Sequence, residues 1–375
     1  MEVYMDNNAT TKVDKQVLNK MLPYFRDRFA NPSAVYPIAR LVRKDIENSR
    51  AKVAELINAD NDEIIFTSGG TEANNTIVKG IAYSLKNKGK HIITTVIEHK
   101  SILNICKFLE VQGFEVTYLP VDKYGVMDID ILKKSIRKDT ILITVMYVNN
   151  EVGSIQPIDE IVNIAKNNNI YVHTDAVQAI GKIRIDVRKL GVDFLSISGH
   201  KLYGPKGVGA VFIRRSSKFR PLLHGGGQEK YRRSGTENVP GIIGFGKACE
   251  IAIKNMDRYM SKIKLIRDYL KKELTSNFRD IRINSCDDKS LCTTLNVSFR
   301  NIDSNYIIKR LGQDGIYVST GSACSAGLPE PSYVLKAMKV DDEFINGTVR
   351  FSLGKYNKMY DVKKVIKSLK KIIKR

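Results

Sequence analysis

The chain has 375 residues, 43% of them hydrophobic and 27% charged, with a formal net charge of +21 at pH 7. This length suits a large domain plus a smaller one and excludes a miniprotein held together by disulfides. The five cysteines are odd in number and lack CxxC spacing, which argues against a disulfide framework and against a zinc site. The polar N-terminus and the absence of a long apolar run predict a soluble, cytoplasmic protein that does not enter a membrane.

Short apolar runs alternate with helical patterns from residue 63 to about residue 213. The runs that predict strands are 64–67, 91–96, 115–119, 141–148, 170–174, 194–198 and 208–213. Such alternation is typical of a mainly parallel sheet that helices cover on both faces. The sequence therefore predicts an α/β fold with a mainly parallel seven-stranded sheet.

A second, smaller region follows a helical pattern at 242–274, in which the charged pair Asp257 and Arg258 indicates a passage between domains. The predicted strands of that region are 292–299 and 348–351, and its predicted helices begin near Tyr306 and Asp361. We expect a smaller α+β domain that the N-terminal segment joins. The expected boundaries are 12–257 for the large domain, and 1–11 with 258–375 for the small one.

Two polar residues follow neighbouring predicted strands of the large region. Asp175 directly follows the run at 170–174, and Lys201 follows the run at 194–198. We expect both at the edge of the sheet where α/β proteins bind ligands. Pyridoxal phosphate needs an amine for its aldehyde, a carboxylate opposite its ring nitrogen and donors for its phosphate. A lysine after a strand is usually a solvated loop residue, but the combination with Asp175 favours a covalent cofactor site.

The phosphate donors would come from the run Thr-Ser-Gly-Gly-Thr-Glu-Ala-Asn-Asn at 67–75, between a predicted strand and a helical pattern. A glycine turn that opens a helix presents backbone N–H groups and the positive end of the helix dipole, and the hydroxyl of Thr71 adds a donor beside Gly70. The alternative is an ordinary capped strand-to-helix turn. The run has neither the Gly-Lys-Ser/Thr ending of a P-loop nor a GxGxxG pattern.

Motifs along nearly the whole chain, in order, resemble those of NifS/IscS-type cysteine desulfurases, which are fold-type I pyridoxal-phosphate enzymes of the class V aminotransferase group. The matching runs are 6–11, 31–33, 67–75, 98–99, 148–151, 173–178, 198–201, 204–207, 233–238, 321–324 and 349–354. The resemblance implies conversion of L-cysteine to L-alanine. The sulfur would pass to a persulfide and then to an acceptor for iron–sulfur cluster assembly or thiolation.

The resemblance also assigns roles to individual residues. It implies catalytic roles for Lys201, which would carry the cofactor covalently, and for Cys324 and His99. The cofactor-binding residues it implies are Gly70, Thr71, His99, Asn150, Asp175, Gln178, Ser198, His200, Lys201 and, from the neighbouring subunit of a homodimer, Thr236. Arg350, assisted by Asn150, suits the substrate carboxylate, although an arginine within a strand can instead be a structural ion-pair partner. No metal site is implied.

Cys324 lies in a run of small and turn-forming residues, about 319–331, which predicts a mobile, exposed loop. An exposed loop cysteine is more often inert, because reactivity requires surroundings that favour the thiolate. The run matches the long-loop, group I members of the family, in which this cysteine is the nucleophile. The other thiols are interpreted as core residues at Cys106, Cys249 and Cys292, and as an incidental loop thiol at Cys286.

Two alternatives stay open. A class V aminotransferase, or a cysteine or selenocysteine β-lyase without a persulfide, would need no thiol. A non-catalytic sulfur-trafficking or nucleic-acid-binding protein of the same fold would be colourless. Because the lysines are spread along the chain, we expect no direct nucleic-acid binding. The expected acceptor is a protein such as an iron–sulfur scaffold or a tRNA-thiolation enzyme.

Three positions depart from the family pattern. Tyr36 stands where many members have histidine, and Lys230 with Tyr231 stands where they have arginine and glycine. The glycine-rich run at 225–228 is therefore expected to take an altered path. The sequence ends at Arg375, before the tail with which longer members dock the scaffold, so that partner stays open.

Overall fold

A computed structural model describes residues 2–320 and 331–373. Its strands are β1 Val3–Tyr4, β2 Ile64–Thr67, β3 His91–Thr95, β4 Glu115–Leu119, β5 Thr140–Thr144, β6 Tyr171–Asp175, β7 Phe194–Ser198, β8 Gly209–Ile213, β9 Ile281–Ile283, β10 Thr294–Phe299, β11 Ile316–Tyr317 and β12 Thr348–Ser352. Its α-helices are α1 Lys15–Met21, α2 Pro23–Arg26, α3 Pro37–Ile57, α4 Gly70–Leu85, α5 Lys100–Val111, α6 Ile129–Ser135, α7 Ile158–Asn167, α8 Val187–Leu190, α9 Val239–Asn277, α10 Ser304–Gln313, α11 Tyr333–Ala337, α12 Asp342–Ile345 and α13 Met359–Ile372.

The main sheet has seven strands in the order β2-β8-β7-β6-β5-β3-β4. Strand β8 is antiparallel to both of its neighbours, and the pairs from β7 to β4 are parallel. Along β2, Ile64 and Phe66 pack on one face while Ile65 packs on the other. Both faces are thus buried, which explains the continuous apolar runs of the sequence. The predicted mainly parallel, seven-stranded sheet is confirmed.

One predicted strand is too long. The run at 141–148 was expected to be a single strand, but β5 ends at Thr144. The next amides include that of Met146, which donates to both carboxylate oxygens of Glu98, at 3.0 and 2.9 Å. On the other side of the chain, the amides of Val145 and Tyr147 still donate to His173 O and Asp175 O of β6, so the run keeps one neighbouring strand beyond Thr144 and the carboxylate of Glu98 takes the place of the other.

Helices cover both faces of the sheet. The apolar sides of α1, α3, α7 and α9 pack on one face, and those of α4 and α5 pack on the other. None of the helices in the described ranges is long and apolar enough to span a bilayer.

The 39-residue helix α9 belongs to two apolar cores. Residues from Ile242 to Met256 pack in the core of the main sheet, and those from Ile263 to Leu274 pack in a second core. The second core also holds apolar residues of β10, β12, α10 and α13. Strands β12, β10 and β9 form an antiparallel sheet there. The change of core falls at the charged pair of α9, while the domain boundary at 257/258 stays a prediction.

The N-terminal strand joins the second core. Strand β1 pairs in parallel with β11, and both strands were missed in the sequence because each has only two residues. The next residues run past the end of β12, where Asn7 N and Nδ2 donate to Ser352 O at 3.1 and 2.9 Å. This path brings residues 6–11 to the ends of the main-sheet strands.

Candidate active site

Asp175 and Lys201 lie at the same edge of the main sheet. Asp175 is the last residue of β6, in register with Ser196 of the parallel strand β7. A 3-10 turn, Gly199–Lys201, follows β7 directly. The structure therefore places the carboxylate and the amine at the carboxyl ends of adjacent strands, as the sequence predicted.

The amine of Lys201 faces the N-terminal segment. Its Nζ donates to Asn8 O at 2.5 Å and to Ala9 O at 2.8 Å. Asn8 O also accepts a hydrogen bond from Gln178 Nε2 at 2.9 Å. The run at 6–11 was recognised in the sequence as a motif without a role, and the structure makes it the wall against which these two side chains lie.

The carboxylate of Asp175 is buried and held from two sides. Its Oδ1 accepts from Val177 N at 2.9 Å, and its Oδ2 accepts from Asn74 Nδ2 at 2.8 Å. Asn74 Nδ2 also contacts Ser101 Oγ at 2.9 Å, and Ser101 Oγ lies 2.8 Å from His99 Nδ1. A chain of hydrogen bonds thus joins His99 to Asp175. Asn74 and Ser101 are site residues to which the sequence interpretation assigned no role.

His99 is the N-cap of α5, where its Nδ1 accepts from Ser101 N at 3.1 Å. Burial is the main reason that the pKa of His99 is lowered, and the charges of Lys201 and Lys100 add to it against the opposing Asp175. A neutral ring can accept a proton at pH 7, which suits the proton shuttle that the resemblance implies.

The glycine turn before α4 allows close approach. Gly69 has a φ of +151°, which favours glycine, and a Cβ at Gly70 would lie 2.8 Å from Val177 Cγ2. No side chain caps this helix at Gly69, and Ser198 lies beside the turn. The 16-residue helix therefore presents an uncapped N-terminus, with the exposed Thr71 in its first turn. These donors fit a phosphate group.

His200 is also neutral at pH 7. Its Nδ1 lies 3.1 Å from Thr10 Oγ1, and its carbonyl accepts from Thr11 N at 3.0 Å. Burial, followed by the Lys201 charge, lowers the pKa of His200 to about 4. A neutral imidazole can donate one hydrogen bond to an anion, but it brings no positive charge.

Arg350 contacts the N-terminal segment at Asp6 and is 2% exposed. Its Nη2 pairs with Asp6 Oδ1 at 2.6 Å, and its Nη1 donates to Asn150 O at 2.9 Å. Within the described residues, neither Arg350 Nε nor Asn150 Oδ1 has a hydrogen-bond partner. A buried donor without a partner requires an explanation, and an anionic ligand supplies one.

Cys324 lies outside the described residues. On the upstream side, Ser319 pairs with Arg350 through backbone hydrogen bonds in both directions, at 2.6 and 3.3 Å. On the downstream side, Ser332 Oγ donates to Glu151 Oε2 at 2.5 Å, next to Asn150. Both flanks of the span that holds the thiol are therefore attached beside Arg350 and Asn150.

The four described cysteines differ in burial. Cys106 and Cys249 are buried, as expected of core residues, and burial raises the pKa of Cys106 to about 12. The expectation for Cys292 was partly wrong, because it is half-buried and lies before β10 begins rather than within the strand. Cys286 is also half-buried. No cluster of ligating side chains in residues 2–320 and 331–373 could hold a metal ion.

Thr236 is exposed and lines a cavity of about 80 Å³ together with Ser68 and Arg233 of the same chain. Arg233 Nε pairs with Glu72 Oε1 of the first turn of α4 at 2.8 Å. The loop that carries Thr236 is thus attached to the glycine turn. Whether Thr236 of a second copy completes the phosphate site stays a prediction.

The loop that departs from the family pattern is strained. Glu229, Lys230 and Tyr231 all have positive φ, a conformation that is rare for residues with side chains. Glu229 is buried and pairs with Arg50 at 2.7 Å, which holds the loop against α3. Tyr231 is 76% exposed.

Glu98 is fully buried beside His99, and burial raises its pKa to about 8. The ordinary pKa is about 4.3, so between these values the folded state keeps a proton that the unfolded state has released. The stability that this proton provides is complete below the ordinary pKa and is lost as the pH rises through about 8. In urea unfolding, Glu98→Gln should therefore flatten the fall in stability between about pH 5 and pH 8. An equal fall in both proteins would contradict this assignment.

Comparisons with known proteins identify the family of this chain. The family model described as aminotransferase class V matches residues 3–365. A cysteine desulfurase IscS of Dictyoglomus turgidum is 50% identical over 374 residues, covering 100% of this chain and 95% of that protein. A solved NifS-like protein superposes with a TM-score of 0.94 at 41% identity, over 100% of this chain and 99% of that one.

A solved structure of SspA in complex with cysteine has a TM-score of 0.85 at 39% identity, covering 96% of this chain and 100% of that one. Both structures have the fold that was described above, and the relatives match this chain over nearly its whole length. The chain therefore belongs to the aminotransferase class V family and, within it, to the cysteine desulfurases of the NifS/IscS type.

Proposed function

We propose that this protein releases sulfur from L-cysteine, forming L-alanine, with pyridoxal phosphate bound covalently to Lys201. The observation that carries the proposal is that Lys201 and Asp175 lie at the ends of adjacent strands, while Lys201 and Arg350 both bind residues of the segment 6–9. An amine, a buried carboxylate and a buried guanidinium whose Nε has no hydrogen-bond partner among the described residues are groups that suit this cofactor and an amino acid substrate. Membership in the family implies dependence on pyridoxal phosphate.

Several residues of this chain would hold the cofactor. Asp175, fixed by its two donors, would accept from the ring nitrogen, and the neutral ring of His99 would stack on the cofactor. Gln178 would donate to the phenolic oxygen. The phosphate would be bound by Gly70, Thr71, Ser198, His200 and, from a second copy of the chain, Thr236. When bound, the cofactor supplies an electron sink for the bonds of the substrate.

Arg350 and Asn150 would orient the substrate. Arg350 Nε, which has no partner among residues 2–320 and 331–373, and one Nη could bind a carboxylate in a bidentate manner, and the ion pair with Asp6 would restrain the guanidinium. The amine of Lys201 would be the base that takes the Cα proton, and His99 would move protons nearby.

Cys324 would receive the sulfur. Its thiolate attacks the substrate sulfur, an S–S bond forms as the C–S bond breaks, and the carbon gains a proton to become the methyl group of alanine. Atoms and electrons balance without an external oxidant. The flanks of the span that holds Cys324 are attached at Arg350 and Glu151, which supports delivery of the thiol to the bound substrate.

We also propose a cytoplasmic homodimer that passes the sulfur to an acceptor protein, such as an iron–sulfur scaffold or a tRNA-thiolation enzyme. Apolar side chains are exposed along α1, α2 and the start of α3, and an exposed apolar surface of this kind is typical of an interface. These exposed residues are Leu18, Leu22, Phe25, Phe29, Val35, Tyr36 and Leu41.

The test is a direct assay of the reaction. The purified protein should be yellow and, with L-cysteine and a thiol reductant, should release alanine and sulfide in equal amounts. Transfer of the amino group to a keto acid without sulfide would instead establish an aminotransferase. A colourless protein to which added pyridoxal phosphate gives no visible band would contradict the proposal.

A further inference from the structure

A second lysine shares the space around Lys201. Lys182 is half-buried and lines a cavity of about 30 Å³ that Lys201, Tyr203 and Tyr259 also line. Its Nζ donates to Gln178 Oε1 at 3.1 Å. Among the described residues it forms no ion pair with a carboxylate, although most partly buried cations have one. A partly buried ammonium group without a carboxylate partner costs free energy of folding, so its presence calls for a functional explanation.

The contact with Gln178 determines how that amide can act. In its charged form Lys182 is a donor only, so it meets the carbonyl oxygen of the amide and not the NH₂ group. The NH₂ group then points the other way, and it donates to Asn8 O, the same atom that accepts from Lys201. The NH₂ group of Gln178 is thereby held as a donor on the side of Lys201 Nζ. A flipped amide would bring two donors together.

The charges around Lys182 are mainly positive. Burial, followed by the charges of Lys201 and Arg350, lowers the pKa of Lys182 to about 7, and Cys292 opposes them. The charge of Lys182 also contributes to the lowered pKa of His200, the neighbour of Lys201 in the chain. Two ammonium groups in a small cavity each disfavour the charged form of the other.

We propose that Lys182 is a positioning residue of this site, which fixes Gln178 as a donor and places a second positive charge beside Lys201. The inference rests on the proposed function, since it concerns the bond between Lys201 and the cofactor. The added charge disfavours the protonated form of that bond. Lys182 acts through Gln178 and Lys201 and forms no bond with the substrate.

The test is a pH titration of the visible cofactor absorbance of the holoenzyme. Lys182→Met keeps the side-chain volume and removes the charge, so the midpoint should rise by about one pH unit. Lys182→Arg keeps a positive charge and a donor, so its midpoint should not rise. Lys189→Met is the matched control, because that side chain is 87% exposed, and its midpoint should equal the wild-type value.

An unchanged midpoint in Lys182→Met, or an equal rise in Lys182→Arg, would overturn the inference. If Lys182→Met does not fold, Lys182→Gln supplies a second neutral variant with the same expected rise. A wild-type protein without any visible band would instead refute the proposed function, so the two failures are distinguishable.

Discussion

Cys324→Ala should bind the cofactor and L-cysteine as the wild-type protein does, yet lose sulfide release by at least about 100-fold. In the proposed reaction, Lys201 and Arg350 act before the sulfur moves, whereas the S–S bond needs a thiolate. The measurement is sulfide and alanine release over time, together with the change in visible absorbance on mixing with L-cysteine.

Cys286→Ala is the matched control, because Cys286 is the half-buried thiol that was interpreted as incidental. It should keep the wild-type rates. Full sulfide release by Cys324→Ala would show that a β-lyase reaction, or another thiol, forms the product. Loss of colour in Cys324→Ala would mean that the substitution had disturbed the cofactor site as well.

Lys201→Ala should abolish covalent cofactor binding and lower turnover by at least about 1,000-fold. In the proposed reaction, the variant lacks both the amine that would hold the cofactor and the base that would take the Cα proton. Borohydride reduction followed by mass spectrometry of the denatured protein should show a cofactor adduct on wild-type protein and none on the variant. Lys189→Ala should keep the adduct, and an adduct that persisted in Lys201→Ala would assign the attachment to another lysine.

Much of the fold could be predicted from the sequence because the strands and their order of ends follow local rules. Buried parallel strands have continuous apolar runs, and the carboxyl ends of neighbouring parallel strands meet at one edge. Those two rules bring Asp175 and Lys201 together, as the structure shows. The strand predicted at 141–148 is too long, and no local sequence pattern shows why. The amide of Met146 donates to the carboxylate of Glu98 instead of to a neighbouring strand.

The contacts that hold the site are mostly distant in sequence. Asp6 meets Arg350 across 344 positions, and Asn8 O accepts from Lys201 Nζ across 193. Such pairs leave no periodic signal, so residues 6–11 could be recognised as a motif but not given a role. A signal for Asn74 did exist, because it stands in the run at 67–75. Its contact with Asp175 depends on which side of α4 faces β6, and this follows from the packing of the two elements.

The proposed transfer of sulfur to Cys324 is tested most directly by mass spectrometry of the protein after incubation with L-cysteine and no reductant. We expect a mass increase of one sulfur atom on the peptide that contains Cys324, with release of one alanine per modified chain. Incubation with L-alanine should leave that peptide unchanged. Alanine release with an unmodified Cys324, or with the extra sulfur on Cys286 or Cys292, would contradict the account.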